Sequence, residues 1–164
     1  MKKLMFAFAL VLLLCGSAVA VEDCFNAQGS ALVPDVKSRY GNNSQFIITC
    51  MTISNITDSA VTCRVNVYDD FGNDVSTSCH VSVGGVAGGF KYESTGQNTF
   101  ELAAHATRTY VFKSSSIGMA GYAVIEWTST NKKLRKALIA SSRYEGMAGS
   151  YFASRSLVNN GQPF

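Results

Sequence analysis

The chain has 164 residues, and 14 Lys plus Arg against 11 Asp plus Glu give a formal net charge of +3. Without the first 20 positions, which hold two lysines and no acid, 12 basic residues stand against 11 acidic ones over 144 positions, a net charge of +1. A nearly neutral chain excludes a strongly basic nucleic-acid binder, and no apolar run of transmembrane-helix length follows position 20.

In chain order, residues 1–20 read as a cleaved secretory signal: Lys2 and Lys3, an apolar run from Leu4 to Leu14, and the small-x-small end Ala18-Val19-Ala20. Acylation at Cys15 is disfavoured because Leu14 is larger than a lipoprotein signal accepts before its cysteine. The expected location is therefore the periplasm or the cell surface. Residues 21–44 are polar and turn-rich and read as an N-terminal arm. Strand-length segments follow at 45–54, 60–69, 75–83, 91–94, 99–103, 108–113, 121–128, 134–143 and 149–158, broken by Gly, Asn, Asp and Ser. This spacing predicts an all-β fold, an antiparallel β-sandwich of roughly seven to nine strands over residues 45–158, with a C-terminal tail at 159–164. No internal repeat or domain linker divides it.

Four cysteines remain after the signal: Cys24, Cys50, Cys63 and Cys79. An even count in an exported chain predicts disulfides, whereas metal ligation lacks a CxxC pair and has only His80 and His105 to help. A hairpin centred between Ile56 and Thr57 places Cys50 opposite Cys63, Ile48 opposite Val65 and Phe46 opposite Val67, all on one inward face. A second hairpin at Asp70-Phe71-Gly72 places Val67 opposite Val75 and Cys63 opposite Cys79. The pairings left open are Cys50–Cys63 with Cys24–Cys79, which is slightly preferred, or Cys63–Cys79 with Cys24–Cys50. Buried free thiols are the alternative.

Catalytic signals are sparse. His105 falls in a turn and His80 on the polar side of its strand; no GxSxG elbow or SxxK pair occurs, so no enzyme activity and no cofactor are expected. Asp69-Asp70-Phe71-Gly72-Asn73-Asp74 gathers three carboxylates, but its residues are those of any tight turn and its spacing is not that of an EF-hand loop. Glu126 beside Trp127 is either a ligand-reading pair or a strand-end carboxylate turned toward water or an arginine. Lys132, Lys133, Arg135 and Lys136 concentrate positive charge at the turn after GYAVIEWT. They form a candidate anion-contact patch, or a solvated hairpin tip that discourages edge-to-edge association. Tyr92, Tyr110, Tyr122, Tyr144 and Tyr151, with Trp127 and Phe152, are either an aromatic binding surface or core.

The stretch from Gln45 to Phe112, with its polar turn NITDSA, the strand VNVYDDFGN and the segment FELAAHATRTYVF, resembles small bacterial β-sandwich domains similar to the sensory rhodopsin transducer family. The likeness spans about half the chain and implies an antiparallel sandwich able to form symmetric oligomers; it implies no site residues. The signal and the four cysteines depart from that family, so its cytoplasmic signalling role is not carried over. The sequence thus predicts an exported, non-enzymatic binding or assembly protein of the bacterial periplasm or cell surface. Its expected partner is an envelope protein or a second copy of itself. The alternative is an eight-stranded outer-membrane barrel: the length and the final Phe164 fit, but Pro163 and the stretch Asn159-Asn160-Gly161-Gln162 do not.

Overall fold

The structure, a computed structural model, describes residues 25–84, 91–113 and 118–164. The expected signal at 1–20 and the fourth cysteine, Cys24, lie outside the described residues.

Ten strands form: β1 (Gly29–Asn42), β2 (Gln45–Asn55), β3 (Val61–Tyr68), β4 (Cys79–Val83), β5 (Lys91–Thr95), β6 (Thr99–Leu102), β7 (Thr107–Phe112), β8 (Met119–Thr128), β9 (Leu138–Ala148) and β10 (Ser150–Leu157). All pair antiparallel in one sheet curled as a half-barrel, and no α-helix occurs among the described residues. The all-β expectation holds, with more strands than the seven to nine expected.

The largest correction is at the start. From Gly29, the expected arm is instead the longest strand, 14 residues. Its alternation is broken at Pro34-Asp35, where Asp35 takes a φ of 60° and the pairing with β8 shifts between Val33 and Val36. The bulge resets the phase, so Val33 and Val36, three positions apart, both point into the core with no exposed surface. A strict two-residue period cannot register such a strand. Residues Gly29 to Ser38 pair with β8, and Arg39 to Asn42 pair with β2. β1 therefore joins two halves of the sheet, β8-β3-β6 on one side and β2 with β7-β4-β5 and β9-β10 on the other.

Both halves fill a single core. β3 alternates as its sequence requires, with Val61, Cys63, Val65 and Val67 buried and the intervening residues half-exposed. Ala123, Ile125 and Trp127 of β8 join them, and Met51, Ile53, Val81, Tyr110 and Phe112 come from the other half. Each fully buried large apolar side chain contributes about 1.5–3 kcal/mol.

The expected meander does not form. β2 and β3 follow each other in sequence but are not neighbours, because residues 56–60 cross between the two halves. Asn55 secures that crossover. Its Nδ2 donates to the Ser59, Leu102 and Ala103 carbonyls at 2.8, 3.2 and 3.0 Å, and its Oδ1 accepts from Thr57 N at 3.0 Å. The second hairpin does begin as expected: Tyr68 bridges Asp74, and Val75 N donates to Val67 O at 2.9 Å. It then ends, because Ser76 Oγ accepts Val67 N at 2.8 Å while buried Tyr110 donates to Ser76 O at 2.8 Å. The chain leaves for the other half, and β4 pairs with β7 and β5.

The cysteine alignment falls with the meander. Cys50 lies opposite Val111 and Arg143, Cys63 opposite Trp127 and Phe100, and Cys79 opposite Phe112. All three are buried free thiols, and no disulfide occurs among the described residues. The parity of β2 was also misread: Met51 and Ile53 enter the core, whereas Phe46, Ile48 and Cys50 alternate onto the outer face. The segment is apolar on both faces, so periodicity alone cannot choose between them. The expected tail is likewise structured. A short 3₁₀ turn at Val158–Gly161 leads to Phe164, whose N–H donates to Leu138 O at 2.9 Å and whose ring is buried.

Gly121 of β8 lies opposite Val36, next to the β1 bulge, and a Cβ there would stand 2.0 Å from the Tyr68 carbonyl oxygen. Backbone cannot yield that distance locally. Gly121→Ala is expected to cost at least about 2 kcal/mol in chemical unfolding; a change under about 0.5 kcal/mol would mean that the corner relaxes freely.

Candidate functional site

Three surface features stand out once the sheet is in place. The first is on the outer face of the β2-β7-β4-β5 half. His80 lies opposite both Val111 and Thr95, and Ile48 lies two residues from Cys50, which itself faces Val111. His80, Val111 and Ile48, with Tyr40, Asn43, Phe46, Tyr92 and Lys113, line a cleft of about 400 Å³. A second cleft of about 390 Å³ shares Tyr40, His80 and Lys113 and adds Ser78 and Thr95. The Lys113 ammonium sits 4.4 Å from the Tyr40 ring centroid, and the Tyr40 hydroxyl donates to Asn43 Oδ1 at 2.9 Å. His80 packs 5.0 Å from the Tyr92 ring and bonds Thr95 Oγ1 through Nδ1 at 3.1 Å, which leaves Nε2 for another partner.

The second feature is the edge strand β10. It pairs with β9 over eight residues with no shift in register and has no partner on its other side among the described residues. Seven of its eight residues are exposed, Phe152 alone being half-buried. Tyr151 and Leu157 are 58% and 64% exposed. Phe152 lies opposite Gly146, where a Cβ would stand 2.7 Å from the ring, so the aromatic covers the gap the glycine leaves. Tyr151 donates to Glu145 Oε2 at 2.7 Å, which raises its phenol above the ordinary value, and Glu145 also pairs with Arg143 at 3.2 Å.

The third feature is the basic segment. Lys132, Lys133, Arg135 and Lys136 are all exposed. They lie on a crossover, not the expected hairpin tip, since β8 pairs with β1 and β3 whereas β9 pairs with β2 and β10. Lys132 Nζ donates to the Ser129 carbonyl at 2.9 Å, and Ser129 Oγ donates to Ala60 O at 2.9 Å, which ties the segment to the β2–β3 crossover.

The remaining sequence candidates resolve locally. Glu126 Oε2 accepts Arg64 Nε and Nη2 at 3.0 and 2.9 Å and Asn66 Nδ2 at 3.0 Å, while Trp127 is in the core; they face opposite sides and form no ligand-reading pair. His105 sits in the β6–β7 turn at φ 57° and bonds exposed Asp58 at 2.8 Å. The acidic turn is organised by Asp69, whose Oδ1 accepts the Phe71 and Asn73 N–H groups at 2.9 and 2.8 Å. No cluster of three metal-ligating side chains occurs among the described residues. Of the aromatic candidates, Tyr110 and Trp127 are core, Tyr92, Tyr122 and Tyr151 are exposed, and Tyr144 packs edge-on to Phe152 at 6.5 Å. Sequence reasoning singled out Tyr92 but missed Tyr40, Phe46 and Lys113 as its neighbours; the signal was a β2 segment apolar on both faces.

The chain matches no family model, no curated protein and no solved structure.

Burial pushes all three thiols up from their ordinary value, Cys63 the most, so each is held protonated at neutral pH and is a poor nucleophile. Native protein at pH 7.5 is expected to resist iodoacetamide at Cys63 and to react there only after denaturation; rapid native labelling would contradict its burial. The Asp69 carboxyl is held below 3.8 by its bonds to Asn73, Phe71 and Gly72. Its contribution to the turn is full above pH 3.8 and is lost as pH falls through the lower folded value. Carbon-detected NMR titration of Asp69 should give a midpoint below 3.8, whereas a midpoint at or above it would remove this account of the turn.

Proposed function

We propose that this is an exported, non-enzymatic protein of the bacterial periplasm or cell surface that acts by binding and assembly. The curled sheet serves as a β-sandwich scaffold, and the edge strand β10 is the contact. The observation that carries this reading is that β10 is eight residues long, unbroken in register and exposed on nearly every residue. Edge strands are ordinarily blunted by Lys, Pro, bulges or shortness. β10 has no Lys or Pro, and Arg155 is its one charge.

A second copy is the occupant its sequence favours. An antiparallel β10–β10 pairing centred on Ser154 sets Tyr151 opposite Leu157 twice and Ala153 opposite Arg155 twice. No like charges then meet, and apolar side chains match across a two-fold axis. The resemblance to the sensory rhodopsin transducer family likewise implies symmetric oligomers. The basic crossover at Lys132, Lys133, Arg135 and Lys136 is proposed as a secondary contact with an anionic surface of the envelope.

Sedimentation of the protein lacking residues 1–20 is expected to give a concentration-dependent dimer. The double variant Tyr151→Lys, Leu157→Lys, both at exposed positions, should remain monomeric with unchanged thermal stability. A wild-type monomer up to the highest soluble concentration, or a variant that dimerises equally, would overturn the β10 assignment. Release from membranes on carbonate washing is expected; retention with a heat-modifiable gel shift would favour the outer-membrane barrel instead.

A further inference from the structure

The paired clefts on the outer face of the sheet are separate from β10, since β9 lies between it and β2, the nearest strand that lines them. Their composition is specific. Both clefts share Tyr40, His80 and Lys113, and neither is lined by an Asp or a Glu among the described residues. Among the described residues Lys113 forms no salt bridge; its ammonium is held over the Tyr40 ring face instead. That ring is itself fixed by its hydroxyl bond to Asn43, so the cation is positioned and left without a counter-anion.

The aromatic part is fixed in a similar way. Tyr92 is 64% exposed, and its ring packs against the His80 imidazole at 5.0 Å. The His80 ring is anchored through Nδ1 to Thr95, which leaves Nε2 for a ligand oxygen. Phe46 and Ile48 form an apolar floor beside these groups. A volume of about 400 Å³ suits a small ligand and falls in the usual range for such sites.

We infer that this cleft binds a small ring compound carrying an anion, a sugar ring bearing a carboxylate or a phosphate. The ring stacks on Tyr92, the anion pairs with Lys113, and His80 Nε2 bonds a ring substituent. Aromatic faces offer broad contact to the C–H face of a sugar ring, and a single cation in a concave, partly apolar setting favours one anionic group over a neutral one.

The test is NMR titration of the soluble chain lacking residues 1–20 with three probes: digalacturonate, glucose 6-phosphate and cellobiose. At least one anionic probe is expected to shift the signals of Tyr92, His80 and Lys113 with a Kd below about 1 mM. The neutral cellobiose is expected to bind at least about tenfold more weakly, the difference one well-placed charge provides. The two anionic arms separate a carboxylate site from a phosphate site. Tyr92→Ala and Lys113→Gln, both at exposed positions, should each weaken the preferred probe about tenfold while the amide spectrum elsewhere stays that of the folded protein. The inference is overturned if no probe shifts these residues, if cellobiose binds as tightly as the anions, or if both variants bind like the parent. The Tyr151→Lys, Leu157→Lys variant should retain the binding, because the cleft does not depend on β10.

Discussion

The corner in β1 is the constraint on which the rest of the structure depends. One strand pairs with β8 over its first part and with β2 over its last, and the change of partner follows the bulge between Val33 and Val36. The extra residue and the left-handed Asp35 let the chain turn while both valines stay in the core. Thr49 fastens the corner from the other half: its hydroxyl donates to Lys37 O at 2.7 Å and accepts Lys37 N at 2.9 Å. Without that change of partner, the two halves would have no shared strand and no common core.

Everything that faces the outside follows from how the two halves are stitched. Among the connections that cross between them are residues 56–60, the segment after Val75, and the basic run before β9. Each is tied down by buried polar groups, Asn55 in the first, Ser76 with Tyr110 in the second and Ser129 in the third. Such satisfied networks specify a single arrangement more than they add stability, because an unpaired group at any of these points would cost about 1–3 kcal/mol. The crossings send β4 beside β7 and β9 beside β2. They thereby gather Tyr40, His80, Tyr92 and Lys113 on one face and leave β10 as an edge with no second partner strand among the described residues.

Much of this was legible in the sequence, and the exceptions have physical causes. β3 could be read directly, because Val61, Cys63, Val65 and Val67 alternate with polar residues and the structure buries those four. The Val67–Val75 contact was legible because Asp69, Gly72 and Asn73 define a tight turn. β1 was not, since a bulge at Pro34-Asp35 erases its period. The neighbours of β2 were not legible either: the polar turn after Asn55 looks like a hairpin, and only long-range bonds from Asn55 to Leu102 and Ala103 show that it crosses over. The cysteine alignment failed at both turns, at the Asn55 crossover and where Ser76 ends the Val67–Val75 pairing, and the outer cleft was hidden because Phe46 and Ile48 were assigned to the wrong face. Local chemistry determined the turns; which strands became neighbours was decided by contacts far apart in the chain.

The proposed dimer makes β10 the working edge of the molecule. Hydrogen exchange of residues 150–157, followed from dilute to concentrated protein, tests it most directly. Uptake in this strand is expected to slow as concentration rises, while β5 and β6, the other edges, exchange at the same rate throughout. Unchanged exchange in 150–157 across that range, or slowing confined to β5 or β6, would contradict it.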